Sequence, residues 1–144
     1  MPTIYTAGWL ALARSADHHE ELNIQPVRIS ATCPKFWHPS VMCPSVQILI
    51  PRPELWQYQD DDAGFKTAYV ARLDRTGPDA ILERLDEISA EHPGKDLALA
   101  CYEANPQACH RSLFTSWWVA ATGQLIEEWE PPIVGSQLTM GMTA

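Results

Sequence analysis

The chain alternates short apolar runs with longer stretches whose apolar residues return every three or four positions, the pattern of strands separated by amphipathic helices. Residues 3–7 form the first run and Gly8 the turn after it. Leu and Ala spaced over about residues 10–20 then outline a short helix with one buried face. A second run, 24–29, contains Pro26, which has no N–H to give a ladder and so pushes this strand toward a sheet edge or its own start. Residues 30–59 hold Cys33-Pro34, His38-Pro39, Cys43-Pro44 and Pro51-Arg52-Pro53 and read as a long loop, in which the apolar piece 46–50 is expected to pair as a minor strand. Phe36, Trp37, Trp56 and Tyr58 argue for an ordered binding loop or lid.

Helical spacing then takes over. Asp60, Asp61 and Asp62 offer caps and acidic charge at a helix start, and Phe65, Tyr69 and Leu73 mark one face of a helix running to about Arg75. Gly77-Pro78 opens another, with Ile81, Leu82, Leu85 and Ile88 as its stripe, and His92-Pro93-Gly94 turns the chain into an apolar run at 97–102. Asn105-Pro106 reads as the start of the next helix, because Asn accepts a bond from a first-turn N–H and Pro has none to lose. Phe114, Trp117, Trp118 and Ala121 give that helix its apolar face, and Gly123 ends it. Residues 125–129 add a last strand, and the small, polar segment 131–144 is expected to be a mobile tail.

Strands alternating with helices predict a single three-layer α/β domain over residues 1–130, with a mostly parallel sheet of Rossmann or flavodoxin type, since parallel neighbours need helical crossovers. In such sheets ligands bind outside the carboxyl ends of the strands. The turns after Gly8, Arg28 and Cys101 are therefore expected on one edge.

At 144 residues the chain is long enough to form its own core without a staple, so all four cysteines are expected as free thiols and no metal is required. No apolar run reaches membrane-spanning length, and the start lacks the basic-then-apolar pattern of an export signal, so a cytoplasmic, membrane-free protein is expected. A net charge of -8 with scattered Lys and Arg argues against an extended nucleic-acid footprint, though a single nucleotide remains within reach of a local basic patch. The cofactor is open, and a second copy of the chain is one candidate partner.

The chemistry concentrates between residues 101 and 111. Cys109, with His110 and Arg111 beside it at a helix start, has the surroundings of a nucleophilic thiol, while a helical cysteine is also an ordinary buried apolar residue. Glu103 reads equally as a cap or as a catalytic acid or base. Arg111 reads as an anion ligand or as the ion-pair partner of Glu103. Zinc at Cys101, Cys109 and His110 is disfavoured, because the spacing is too long for a compact knuckle and adjacent helical side chains diverge by about 100°. A Cys101/Cys109 disulfide acting as a redox switch is the nearest rival to free thiols.

The Ile4-Tyr5-Thr6-Ala7-Gly8 start, Val27-Arg28 at the second strand's end, the Phe65/Tyr69 helix, and Cys101-Tyr102-Glu103 followed by Cys109-His110-Arg111 together resemble the bacterial and phage family called domain of unknown function 488. The form Arg28-Ile29-Ser30 looks like an actinobacterial or phage branch, and Pro26 stands where many members carry Asp. The resemblance implies an α/β fold with Arg28, Glu103, Cys109, His110 and Arg111 near one pocket. The family label itself supplies no reaction; the convergence of unlike polar groups at the strand ends leads to the expectation of an enzyme for a small phosphate-bearing or nucleoside-like ligand. Glu103, Cys109 and His110 would be its catalytic groups, and Arg28, Arg111, Tyr5 and Cys101 its ligand contacts. The alternatives are a noncatalytic binding module with a structural Cys-His-Arg turn, or a thiol redox or metal site.

Overall fold

The computed structural model of the chain describes residues 3–14, 24–30, 43–51, 62–101 and 110–130. Within them lie strand β1 (Ile4–Gly8), helix α1 (Trp9–Arg14), β2 (Ile24–Arg28), α2 (Asp62–Thr76), α3 (Pro78–Glu91), β3 (Asp96–Cys101), α4 (His110–Thr122) and β4 (Glu127–Glu128). The four strands form one sheet in the order β2-β3-β1-β4, with every neighbouring pair parallel. No described helix is long and apolar enough to cross a membrane.

Helices lie on both faces. Alternation along β3 sends Leu97, Leu99 and Cys101 to one side, where they pack with Tyr69 and Leu73 of α2, Ile81, Leu85 and Ile88 of α3, and Phe114 and Trp118 of α4. Ala98 and Ala100 point the other way and meet Trp9 and Leu12 of α1, with Ala7, Ile24 and Trp129. The small alanines leave room for the indole of Trp9, which is fully buried. The expected three-layer α/β domain is therefore the observed one.

Register fixes the edge that matters. Gly8 pairs with Cys101 and Arg28 with Ala100, so the carboxyl ends of β1, β2 and β3 finish together, as expected of parallel strands. The helix after β1 lies on one face and the helix after β3 on the other, although the two strands are neighbours. That reversal is a topological switch point, and in open α/β sheets it opens a crevice outside the strand ends. Here the switch point falls between β1 and β3, at Gly8 and Cys101.

Pro26 sits in an edge strand, as its missing donor requires. Arg28 turns its backbone outward, donating from N–H to the Pro44 carbonyl (2.7 Å) and accepting from Val46 N–H (3.1 Å), whereas Ile29 N–H turns inward to Ala100 (3.0 Å). Alternate residues of a strand share a side, so Pro26 also faces outward and costs the ladder no bond.

Several expectations need correcting. The piece 46–50 is no strand: only Ser45 bridges to Arg28, and Gln47–Leu49 is a 3-10 turn. Carbonyls of this piece and of Ser45 before it are taken by helix side chains instead, Tyr69 Oη donating to Leu49 O (2.7 Å), Arg72 Nη1 to Ile50 O (2.7 Å) and Arg84 Nη2 to Ser45 O (3.0 Å). Gly8 is the last strand residue, and α1 begins directly at Trp9. Ala121 is exposed, because the face that α4 buries is set by the larger Phe114 and Trp118. Free thiols do not hold throughout: Cys43 keeps its thiol, but Cys101 is disulfide-bonded, to a partner outside the described residues. The expected start of α4 at Pro106, the caps at Asp60 and Asp61, the continuation of α1 past Arg14, the aromatic loop residues Phe36, Trp37, Trp56 and Tyr58, and the tail at 131–144 all lie outside the described residues.

Candidate functional site

Of the residues singled out from sequence, Glu103 and Cys109 lie outside the described residues. The others divide between the two faces of the sheet. Cys101 ends β3 on the α2–α4 face and is buried. Arg111, one residue into α4, is fully buried and reaches it: Nη1 donates to Cys101 Sγ at 2.9 Å. The rest of the guanidinium holds Glu128 of β4 in a bidentate pair, Nε to Oε1 at 3.0 Å and Nη2 to Oε2 at 2.8 Å. Thr6 Oγ1 donates to the same Oε1 at 2.9 Å. This planar fork is the geometry that suits Arg to a carboxylate, and excluding water strengthens it.

His110 is partly buried at the start of α4 and crosses β3 to reach β2, with Nε2 2.7 Å from the Ile29 carbonyl. A carbonyl only accepts, so Nε2 carries the proton and Nδ1 the lone pair of the neutral ring. Burial pushes the imidazole down to about 4; the Ile29 carbonyl works against that, and Arg111 and Arg72 add to the lowering. His110 is therefore uncharged at neutral pH. Its ring meets Tyr69 edge-on (centroids 5.6 Å), and Tyr69 stacks on Phe65 (5.8 Å). Burial also raises the phenol of Tyr69 well above its usual range.

Arg28 ends β2 on the opposite face, in register with Ala100, and Nη1 donates to the Ser30 carbonyl at 2.8 Å. The Ser30 hydroxyl accepts from Trp9 Nε1 at 2.9 Å. Tyr5 packs on that same face, opposite Ala98, three residues before the end of β1. The strand edge thus gathers Gly8, Cys101, His110, Arg111 and Arg28, but Tyr5 stands back from it. One surface depression, lined by Lys66, Thr67, Val70, Ala71 and Asp74 of α2, includes none of these residues.

Sequence reasoning missed Glu128 and Thr6. A Glu in a terminal strand looks solvated, and only the β1–β4 register, which sets Thr6 against Glu128, shows that it turns inward. Among the described residues no group of three His, Cys, Asp or Glu side chains is gathered for a metal, and a sulfur committed to a disulfide is not a thiolate ligand.

Fold and site together define an all-parallel α/β domain with a sulfur–guanidinium pair at its switch point. Within that class the chain belongs to the family described as "Domain of unknown function DUF488", whose model matches residues 46–118, just over half of the chain. The match takes in α2, α3, β3 and most of α4, including Cys101, His110 and Arg111; β1, β2 and β4 fall outside it. No curated protein and no solved structure matches the chain.

Proposed function

We propose that the chain is a thiol–disulfide redox enzyme working at the crevice outside Gly8 and Cys101. The observation that carries this reading is the contact between the Arg111 guanidinium, which has no exposure to solvent, and the sulfur of a disulfide-bonded Cys101. A cation fixed against a sulfur favours its thiolate, and the thiolate is both the nucleophile and the better leaving group in disulfide exchange. A dithiol reductant attacks the partner sulfur and the S–S bond breaks. Cys101 departs as a thiolate beside Arg111. The second thiol of the reductant then closes its own disulfide and frees the partner cysteine as a thiol. Two electrons pass to the protein, and the proton matching the thiolate goes to solvent. In the cytoplasm, where we place the chain, such a disulfide is transient and catalytic or redox-sensing.

The test is a titration with dithiothreitol redox buffers, following alkylation of Cys101 by mass spectrometry. A reversible two-electron couple is expected, together with a pH profile of alkylation that puts the reduced thiol below the ordinary value of about 8.5. A disulfide that no buffer reduces in the folded chain, or an ordinary thiol profile, would sink the proposal.

A second reading keeps the switch-point crevice but fills it with a phosphate-bearing or nucleoside-like ligand. It is favoured by Arg28 at the end of β2 and by the row of rings from Phe65 through Tyr69 to the neutral His110. Thermal shift across a panel of nucleotides and sugar phosphates, with Arg28→Ala beside the wild type, tests it. No stabilisation by any compound would dismiss it.

A further inference from the structure

We infer that Glu128, oriented by Thr6, is a positioning residue that sets the reactivity of Cys101 through Arg111. The inference rests on the redox reading of Cys101 and goes beyond it, to residues that lie outside the span of the family match.

Arg111 carries one positive charge and none of its surface reaches solvent, so nearby anions share that charge with little screening. Two of its nitrogens, Nε and Nη2, are turned to Glu128, and the third, Nη1, to Cys101 Sγ. While Cys101 is oxidised, its sulfur is neutral and the Glu128 carboxylate matches the cation. Once Cys101 is a thiolate, two anions among the described residues face the guanidinium, and each reduces what the other gains. Glu128 therefore holds the thiolate back: it restrains the very effect by which Arg111 lowers the pKa of a nearby sulfur.

Thr6 makes this arrangement directional. Its hydroxyl donates to Oε1, the oxygen that also takes Arg111 Nε, and its backbone carbonyl accepts Trp129 N–H at 2.6 Å, which pins β4 at the residue after Glu128. Thr6 is itself almost wholly buried, at 4% exposure. The Glu128 side chain is 29% exposed, so without the Thr6 bond it has water to turn to. Thiolate stability at Cys101 is thus adjusted from a two-residue edge strand by way of one buried arginine.

The experiment compares wild type, Glu128→Gln, Thr6→Val and Thr6→Ser in dithiothreitol redox buffers, and measures the pH profile of Cys101 alkylation in the reduced proteins. Glu128→Gln keeps the side-chain shape and removes the charge. It is expected to lower the Cys101 pKa by about one unit and to shift the equilibrium about tenfold toward the dithiol, which is about 30 mV. Thr6→Val moves both quantities the same way by a smaller step, and Thr6→Ser, which keeps the hydroxyl, restores them. A purely structural Glu128 would change thermal stability and leave both redox readouts alone. That result, with a reversible wild-type couple, overturns the inference while sparing the redox reading. A wild-type Cys101 without a reversible couple overturns both. Should Glu128→Gln fail to fold, Thr6→Val carries the test, and a wild-type potential in Thr6→Val refutes the inference.

Discussion

Acid should unfold this protein partly through one histidine. Burial holds the His110 ring at about 4, against 6.5 for an exposed imidazole, so the folded state favours the neutral ring and the unfolded chain takes up the proton first. Stability from this source is complete above pH 6.5 and is lost as the pH falls from there toward 4. With those two values, the loss attributable to His110 is about 2 kcal/mol by pH 5 and about 3 kcal/mol by pH 4. The structural causes are separable: the ring lies against Tyr69, Nε2 is committed to the Ile29 carbonyl, and Arg111 and Arg72 raise the cost of a second positive charge. The assay is urea unfolding of wild type and His110→Gln at half-unit steps from pH 7.5 to 4.5. Gln retains a donor for Ile29 but does not titrate, so the gap between the two curves isolates the imidazole from the carboxylates and the other histidines. The wild type is expected to lose about 2 kcal/mol more than the variant between pH 7 and pH 5. Parallel curves would mean that His110 titrates near 6.5 in the folded chain, and the account of a desolvated neutral ring would be wrong.

Two further substitutions test the packing of α2 and its junction with α3. Tyr69→Phe removes the donor that satisfies the Leu49 carbonyl in a buried place and is expected to cost about 1–3 kcal/mol in urea unfolding, with no cavity to add to it. Gly77→Ala meets no atom within 4 Å, yet it is expected to cost about 1–3 kcal/mol, because Gly77 joins α2 to α3 at φ 82 and ψ 154, a conformation essentially confined to glycine. A neutral Gly77→Ala in thermal unfolding would show that the junction adopts another path.

How much of this was legible in the chain depends on how local each signal is. The runs at 24–29 and 97–102 and the 3.6-residue stripes of α2 and α3 declare themselves within a dozen residues, and the structure has strands at Ile24–Arg28 and Asp96–Cys101 and both helices. Pro26 announced an edge strand for a covalent reason, its missing N–H. The piece 46–50 departs from the expected strand because four apolar residues around one Gln are too short a run to carry a period, and what decides its shape is three side chains 20 to 40 residues away. Tyr5 and Cys101 are expected together as ligand contacts, and their strands do pair. Strand alternation puts them on opposite faces, and one residue of register decides which. Arg111 was recognised as an ion-pair arginine, but Glu128 was out of reach of any spacing argument, since β4 joins β1 across more than a hundred residues of chain.

The segment following β2 has a further consequence for how the sequence can drift. Tyr69, Arg72 and Arg84 grip it through the carbonyls of Leu49, Ile50, Gln47 and Ser45, atoms that every amino acid possesses. The path of this strap is therefore specified from outside itself. Substitutions at Ser45 or Gln47 leave the gripping bonds intact, whereas changing any of the three helix residues abandons carbonyls that nothing in the strap's own sequence can compensate. Over evolutionary time, identity should persist in the helices that read the strap and wander in its exposed letters, so the strap's shape would outlast its sequence.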